Sequence, residues 1–135
     1  MILLYKGRGI ARGTGSGPLL ISPAPISFLS GVDPESGIIV EKGHPLNGRS
    51  IAGTVLVFPY GKGSTVGSYV LYALSQNGHA PAAIINAEAE AIIATGAIIG
   101  NIPMVDRIEF PPGTLKDGIR VTVNGDSGEV ACETS

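Results

Sequence analysis

A lysine between two glycines stands just before a serine and a threonine in the segment FPYGKGSTVGS, residues 58–68. The pattern predicts that an apolar strand ends near Phe58 and that a helix begins near Val66. Glycines let a ligand approach the backbone, and a helix start attracts anions. The segment is not a nucleotide-binding P-loop, because Gly63 rather than Ser or Thr follows Lys62. The glycine amides and the helix start still favour a simpler anion site.

The hydroxyl groups of Ser64 and Thr65 have two interpretations. Either can cap the helix at Val66 by accepting a hydrogen bond from a backbone amide. Alternatively, Ser64 can act as a base if its alkoxide is stabilised by glycine amides, a helix start and the Lys62 ammonium. The segment therefore suits anion binding or removal of a proton beside a carboxylate, with Lys62, Gly63 and Thr65 as substrate-binding candidates.

Other polar residues have weaker claims to a function. Arg49 can bind a substrate carboxylate or phosphate, but a surface ion pair explains it equally well. Asp33, in an Asp-Pro pair, is typical of a turn, with a polar contact at an interface or active site as the alternative. His44 is predicted to be structural or interfacial rather than a ligand. Ser27 and Ser30 can line a cleft or face solvent.

The chain is poor in cysteine and histidine, the usual ligands of zinc and iron–sulfur clusters. Cys132 is its only cysteine, and its two histidines, His44 and His79, are far apart in sequence. One thiol cannot form a disulfide framework or provide the three or four thiolates of a zinc or iron–sulfur site. We therefore expect no cofactor on this chain, and we interpret Cys132 as a small strand residue.

Composition restricts the class of protein. The 135 residues predict a single domain, residues 1–135, and 44% apolar with 15% charged residues is typical of a globular protein. A net charge of −2, scattered cations and 5% aromatic residues disfavour nucleic acid as a partner. No apolar run reaches the ~18 residues of a membrane span, and the first residues lack the order of a signal peptide. We expect a cytoplasmic protein.

The first half of the chain is predicted to be mainly β-structure. The 20 glycines and 10 prolines of the whole chain are interleaved with Ile and Val, which is typical of tight turns between short strands. Residues 22–37 form a long connection. The predicted strands are Ile2–Lys6, Gly9–Gly13, Pro18–Ile21, Gly37–Glu41 and Thr54–Phe58.

The second half predicts a βαβα unit followed by a hairpin. Helices are predicted at Val66–Asn77 and Ala87–Thr95, the latter capped by Asn86 and ended by Gly96. The predicted strands are Ala82–Ile85, Ala97–Ile99, Met104–Val105 and a hairpin that turns at Asn124-Gly125.

Five blocks of sequence are similar to one known family. The segments PISFLSGVDPESGIIV, HPLNGRSIAG, GKGSTVGSYVL, GHAPAAII and GAIIGNIPMV, in this order, resemble the small subunit of the aconitase X family. The resemblance covers nearly the whole chain. It implies an α/β fold, the swivelling β/β/α domain of aconitases, which is β-rich and barrel-like with two main helices.

The resemblance also implies an activity and a partner. The family's small subunit works with a large subunit, which would carry a 4Fe-4S cluster on its own cysteines. The implied reaction is dehydration of a phosphorylated hydroxy acid, (R)-5-phosphomevalonate, to trans-anhydromevalonate 5-phosphate, in an archaeal mevalonate route. Alternatives are another hydroxy acid, such as a hydroxyproline, or an anion-binding module without catalysis.

The family's proton-accepting serine falls on Ser64. The segment departs from the family's usual G-R-G-S-S pattern, because Lys62 replaces an arginine and Thr65 replaces the second serine. Lysine keeps the positive charge but lacks the bidentate fork of a guanidinium, which leaves a carboxylate clamp at Lys62 in doubt.

Overall fold

The computed structural model describes residues 1–62 and 66–133. Within these residues the chain forms ten strands and three helices. The strands are β1 (Ile2–Lys6), β2 (Arg8–Ala11), β3 (Thr14–Ile21), β4 (Ile26–Ser27), β5 (Val55–Phe58), β6 (Gly61–Lys62), β7 (Ala83–Asn86), β8 (Met104–Asp106), β9 (Arg120–Asn124) and β10 (Glu129–Glu133). The helices are α1 (Phe28–Gly31), α2 (Gly67–Gln76) and α3 (Ala91–Ile99). None of the described helices is long and apolar enough to cross a membrane.

Eight strands form one curled sheet in the order β1-β10-β9-β3-β5-β7-β8-β2. Strands β3, β5, β7 and β8 are parallel to one another, and the remaining pairs are antiparallel. The two edge strands, β1 and β2, are consecutive in the chain and are separated only by Gly7. The described strands therefore approach a barrel without closing its hydrogen-bonded ladder, which agrees with the predicted barrel-like α/β fold.

The curled sheet separates two apolar cores. Because side chains alternate along a strand, β5 and β7 direct Val57 and Ile85 to one core and Leu56 and Ile84 to the other. The first core lies inside the curl, where residues of the parallel strands meet those of the β9–β10 hairpin. The second core lies beneath α2 and α3, the two main helices, and includes residues of both.

The predicted boundaries of α3 are wrong. The helix spans Ala91–Ile99, and its cap is Glu90, whose carboxylate accepts hydrogen bonds from the amides of Ile92 and Ile93. Asn86 instead ends strand β7, because the segment after it is held by contacts described below. Gly96 does not end the helix, and residues 97–99 are helical rather than a strand.

The region between β3 and β5 also differs from the prediction. No described strand occupies Gly37–Glu41, where single bridges join Val32 to Ile39 and Ile38 to Ser50. The connection 22–37 is not without structure, since it contains β4 and α1. The predicted β1, the helix α2 and the C-terminal hairpin are confirmed within a few residues.

Candidate active site

The carboxyl ends of the parallel strands meet at one edge of the sheet, where open α/β sheets usually bind ligands. Register places Phe58 beside Asn86, and Asn86 beside Asp106. The glycine-lysine segment follows β5 at this edge. The fold thus brings the predicted segment next to the ends of β7 and β8.

Three of the predicted site residues, Gly63, Ser64 and Thr65, lie outside the described residues. The segment can be followed as far as Lys62. Gly61 and Lys62 form the short strand β6, which pairs in parallel with β4, so that Ser27 lies opposite Lys62. The approach to Ser64 is therefore fixed to the segment that leads into α1.

Lys62 lies at the surface. Its Nζ is 3.2 Å from Oε2 of Glu41, and its side chain is 47% exposed. Exposed ion pairs of this kind contribute only about 0–1 kcal/mol. A carboxylate or phosphate ligand can therefore compete with Glu41 for the ammonium at little cost.

Gly61 lies directly against the start of α3. A Cβ atom at this position would overlap the side chain of Ile93 and would lie 3.2 Å from Oε1 of Glu90. A small cleft of about 80 Å³ lies here, and its lining includes Phe28, Lys62 and Glu90. A side chain at Gly61 would therefore require the Ile93 side chain to move.

Arg49 forms a surface ion pair, one of the two roles that the sequence allows. Its guanidinium lies 3.5 Å from Oδ2 of Asp117, and both side chains are about half exposed. Asp117 also accepts a hydrogen bond from the amide of Ile21, at the end of β3. None of the described contacts of Arg49 joins it to Lys62.

Asp33 and His44 both have local structural roles. Asp33 accepts hydrogen bonds from the amide of Glu35 and the hydroxyl of Ser36, as a turn residue does. Nδ1 of the buried His44 accepts a hydrogen bond from the amide of Leu46, which assigns the ring proton to Nε2, 3.2 Å from the carbonyl oxygen of Pro25. His44 therefore joins two loops.

The residues of this chain do not fit an iron–sulfur cluster. Cys132 is fully buried in the core inside the curled sheet, and burial raises the pKa of its thiol. Among the described residues, no group of three or more His, Cys, Asp or Glu side chains could hold a metal ion.

A buried carboxylate at this edge was missed by sequence reasoning. Asp106, at the end of β8, is fully buried and receives Nε and Nη2 of Arg8 at 2.9 and 2.8 Å. The amide of Ala89 donates a third hydrogen bond at 2.7 Å. Burial alone would raise the pKa of Asp106, but the bonds from Arg8 and Ala89 outweigh it and hold the pKa below its usual value.

Asn86, beside Asp106, is also buried. Its Nδ2 donates to the carbonyl oxygen of Phe58 at 3.1 Å, which ties the end of β7 to the end of β5. Its Oδ1 has no hydrogen-bond partner among residues 1–62 and 66–133. The Asn86 side chain thus holds the residue that precedes the turn at Pro59.

The comparisons with known proteins agree with this architecture. The family sequence model named aconitase X swivel domain matches residues 4–132 of the chain. The chain belongs to the aconitase X swivel domain family. The expected family is thereby confirmed over almost the whole chain.

Relatives in this family are closely similar to the chain. A protein of Methanocella arvoryzae named phosphomevalonate dehydratase small subunit is 60% identical over 124 residues, which are 91% of this chain and 94% of the relative. A protein of Thermococcus kodakarensis with the same name is 57% identical over 125 residues, 93% of this chain and 92% of the relative. Both relatives are therefore matched over nearly their full length.

A solved aconitase X has the same fold. The crystal structure of Thermococcus kodakaraensis aconitase X in its holo-form matches with a TM-score of 0.92 and 54% identity, covering 98% of this chain and 99% of that chain. A second protein, solved by NMR in solution, matches with a TM-score of 0.87 and 46% identity, covering 98% and 100%. The swivel-domain fold expected from the sequence is thus confirmed.

Proposed function

We propose that this chain is the small subunit of a hydro-lyase that dehydrates (R)-5-phosphomevalonate to trans-anhydromevalonate 5-phosphate in an archaeal-type mevalonate pathway. The observation that carries the proposal is the 60% identity, over 91% of the chain, with a relative named phosphomevalonate dehydratase small subunit. The partner is a large subunit, and the complex is a heterodimer. A substrate with a phosphate and a carboxylate crosses membranes poorly, so we place the enzyme in the cytoplasm.

The reaction divides naturally between two chains. Dehydration of a β-hydroxy acid removes a proton from the carbon beside the carboxylate and expels hydroxide from the next carbon. The one cysteine of this chain, Cys132, is buried, so the chain does not provide thiolate ligands for a cluster. We therefore assign the 4Fe-4S cluster to the large subunit. What this chain supplies is the base and part of the anion-binding surface.

Ser64 is the proposed proton acceptor. It follows Lys62 by two residues and precedes helix α2, so an ammonium and a helix start belong to its immediate sequence surroundings. Both favour the alkoxide over the hydroxyl and lower the cost of activating the serine. The same two features, with Gly63 and Thr65, provide donors for the substrate carboxylate, and Arg49 is a more distant candidate.

Exposed apolar side chains around this segment support a partner at the same place. Leu29, Val40, Tyr60 and Tyr69 are between 46 and 68% exposed. Leu29 lies on α1, and the amide of Val40 donates a hydrogen bond to the carbonyl oxygen of Gly31. In the sequence, Tyr60 and Tyr69 lie on either side of residues 61–65, which we call the site segment. We call these four side chains the apolar collar. Covering the collar would bring a cluster-bearing subunit up to Ser64 and exclude water from the reaction.

The test is co-expression with the large subunit and anaerobic assay of the purified pair with (R)-5-phosphomevalonate. Ser64→Ala should lower kcat at least a thousandfold while the pair still assembles and keeps its cluster absorbance. Ser16→Ala is the matched control, because this hydroxyl bonds Thr122 on the far part of the sheet and should leave kcat unchanged.

Three outcomes would contradict the proposal in different ways. Full activity of Ser64→Ala would remove the serine from the chemistry. Dehydration of a hydroxyproline but not of (R)-5-phosphomevalonate would keep the reaction class and change the substrate. Tight binding of the substrate by this chain alone, with no effect of a large subunit, would indicate an anion-binding module.

A further inference from the structure

We infer that Asp106, held by Arg8, is a positioning residue that fixes the start of α3. Through α3 it also fixes the turn that leads from Pro59 into the short strand β6 (Gly61–Lys62). The inference rests on the proposed function for the role of that turn. The chain of contacts that carries it lies entirely within the described residues. It runs in three steps from the carboxylate to the turn.

The first step is the carboxylate itself. Asp106 is fully buried, and an ionised carboxylate in the interior is tolerated only when it is paired and hydrogen-bonded. Arg8, on the neighbouring edge strand β2, supplies a bidentate pair. The third donor is the amide of Ala89, in the segment before α3. One charge thus joins β2, β8 and the start of α3.

The second step is the segment 87–90. The amide of Ala87 donates to the carbonyl oxygen of Pro59, and the carbonyl oxygen of Ala87 accepts from the amide of Arg107. Ala89 is held by Asp106, and the next residue, Glu90, caps the helix. Because these attachments lie at consecutive or alternate residues, the segment has little freedom to move. The first turn of α3 is therefore set by contacts with β8 and with the turn at Pro59.

The third step is the contact between α3 and the turn. The side chain of Ile93 occupies the space where Gly61 would carry a Cβ atom. The same two residues, Gly61 and Lys62, are paired with β4, and this pairing restricts their movement relative to the rest of the fold. A displacement of the helix start is thus passed on to Gly61 and Lys62. Misplacement of catalytic groups by about 1 Å can cost a hundredfold in rate.

A neighbouring ion pair provides a matched comparison. Arg107 and Glu88 form a bidentate pair of similar geometry, with Nε–Oε2 and Nη2–Oε1 distances of 3.1 and 2.7 Å. Both of these side chains are more than half exposed. No described hydrogen bond joins the Glu88 carboxylate to a backbone amide of the segment before α3. The two pairs share a location but differ in their connection to α3.

The experiment compares Asp106→Asn and Glu88→Gln in the assembled heterodimer. Asp106→Asn should lower kcat about tenfold or more, because it misplaces Gly61, Lys62 and the residues that follow them. Glu88→Gln should change kcat less than twofold. Hydrogen exchange of the Ile92 and Ile93 amides should accelerate at least tenfold in Asp106→Asn alone. Arg8→Lys, which keeps the charge, should retain more kcat than Arg8→Gln.

The inference would be overturned by either of two results. If Asp106→Asn lowers thermal stability but leaves kcat per assembled enzyme unchanged, Asp106 has only a stabilising role. If the Ile92 and Ile93 amides exchange at the wild-type rate in this variant, the contact chain does not run through α3. Neither result depends on which residue accepts the proton. Failure of the Ser64 proposal is therefore distinguishable, since the exchange measurement stands without it.

Discussion

Asp106 keeps its charge in the protein interior because three donors surround it. Nε and Nη2 of Arg8 and the amide of Ala89 all lie within 2.9 Å of its carboxylate oxygens. The pKa of this carboxyl is lower in the folded chain than its ordinary value. Folding therefore favours the ionised form. The resulting stability is fully present above the unfolded-state pKa of about 3.9 and is lost as the pH falls through the folded-state pKa.

This linkage predicts how Asp106→Asn behaves with pH. At pH 7 the variant should lose roughly 1.5–3 kcal/mol in free energy of unfolding, the range for hydrogen bonds to charged groups. The difference from wild type should shrink as the pH falls below about 4, where the native carboxylate also loses its advantage. Urea denaturation of the full chain at several pH values measures it. Glu88→Gln, in the exposed pair, should change little at any pH, and an equal loss for Asp106→Asn at pH 3 and pH 7 would contradict the explanation.

Sequence reasoning succeeded with residues whose partners are near in the chain. Asp33 bonds atoms two and three residues away, and His44 bonds the amide of Leu46. The turn at Asp33 and the structural role of His44 were therefore predicted. Asp106 was missed because Arg8 is 98 positions away and Ala89 is 17. Only the fold brings these three residues together.

At the scale of elements, α2 and α3 pack closely because a glycine faces the contact. A Cβ atom on Gly96 would lie 2.7 Å from Cδ1 and 3.0 Å from Cβ of Leu71, and 3.1 Å from Cα of Ser68. Glycine in a helix was interpreted as a stop signal, which local propensity favours. Packing against α2 outweighs that preference here.

Gly96→Ala should therefore destabilise the chain despite the higher helix propensity of alanine. The expected loss is about 1–3 kcal/mol, the usual cost of overpacking, because the backbone of α2 at Ser68 cannot yield as a side-chain tip can. Gly67→Ala is the control, since its Cβ would lie at an ordinary 3.7 Å from Ile92 and Phe28. Urea denaturation should place Gly67→Ala at or above wild-type stability. Equal effects of the two substitutions would contradict the packing argument.

Strand β5 and the C-terminal hairpin were predicted better than the start of α3 for a physical reason. Apolar runs such as residues 54–58 and the turn at Asn124-Gly125 carry their information locally, and β5 and the hairpin follow them closely. The start of α3 does not, because Asn86 and Glu90 are both acceptable caps. The bond from the amide of Ala89 to Asp106 favours Glu90. A long-range contact thus decides a local boundary.

At the scale of the whole molecule, the described residues that lead into the proposed site lie at one end of the curled sheet. The parallel strands direct the site segment, the 87–90 segment and Asp106 to the same edge. The apolar collar lies on the segments around that site. A surface so rich in exposed Tyr and aliphatic side chains is typical of a protein–protein interface. Catalysis and assembly are therefore expected to depend on the same end of the domain.

Tyr69 provides the sharpest test of this dependence. It is 68% exposed on α2, one turn beyond the site segment, and aromatic residues at the centre of an interface commonly contribute 2 kcal/mol or more to binding. Tyr69→Glu should weaken binding of the large subunit about thirtyfold or more, because it also places a charge in a covered apolar surface. Leu4→Glu is the control: Leu4 is 61% exposed, but it lies on β1, which pairs with the β9–β10 hairpin rather than with the strands beneath α2. Titration of the purified large subunit with each variant should show near-normal affinity for Leu4→Glu. If Leu4→Glu weakens binding and Tyr69→Glu does not, the large subunit binds the antiparallel side of the sheet, and the collar is not the interface.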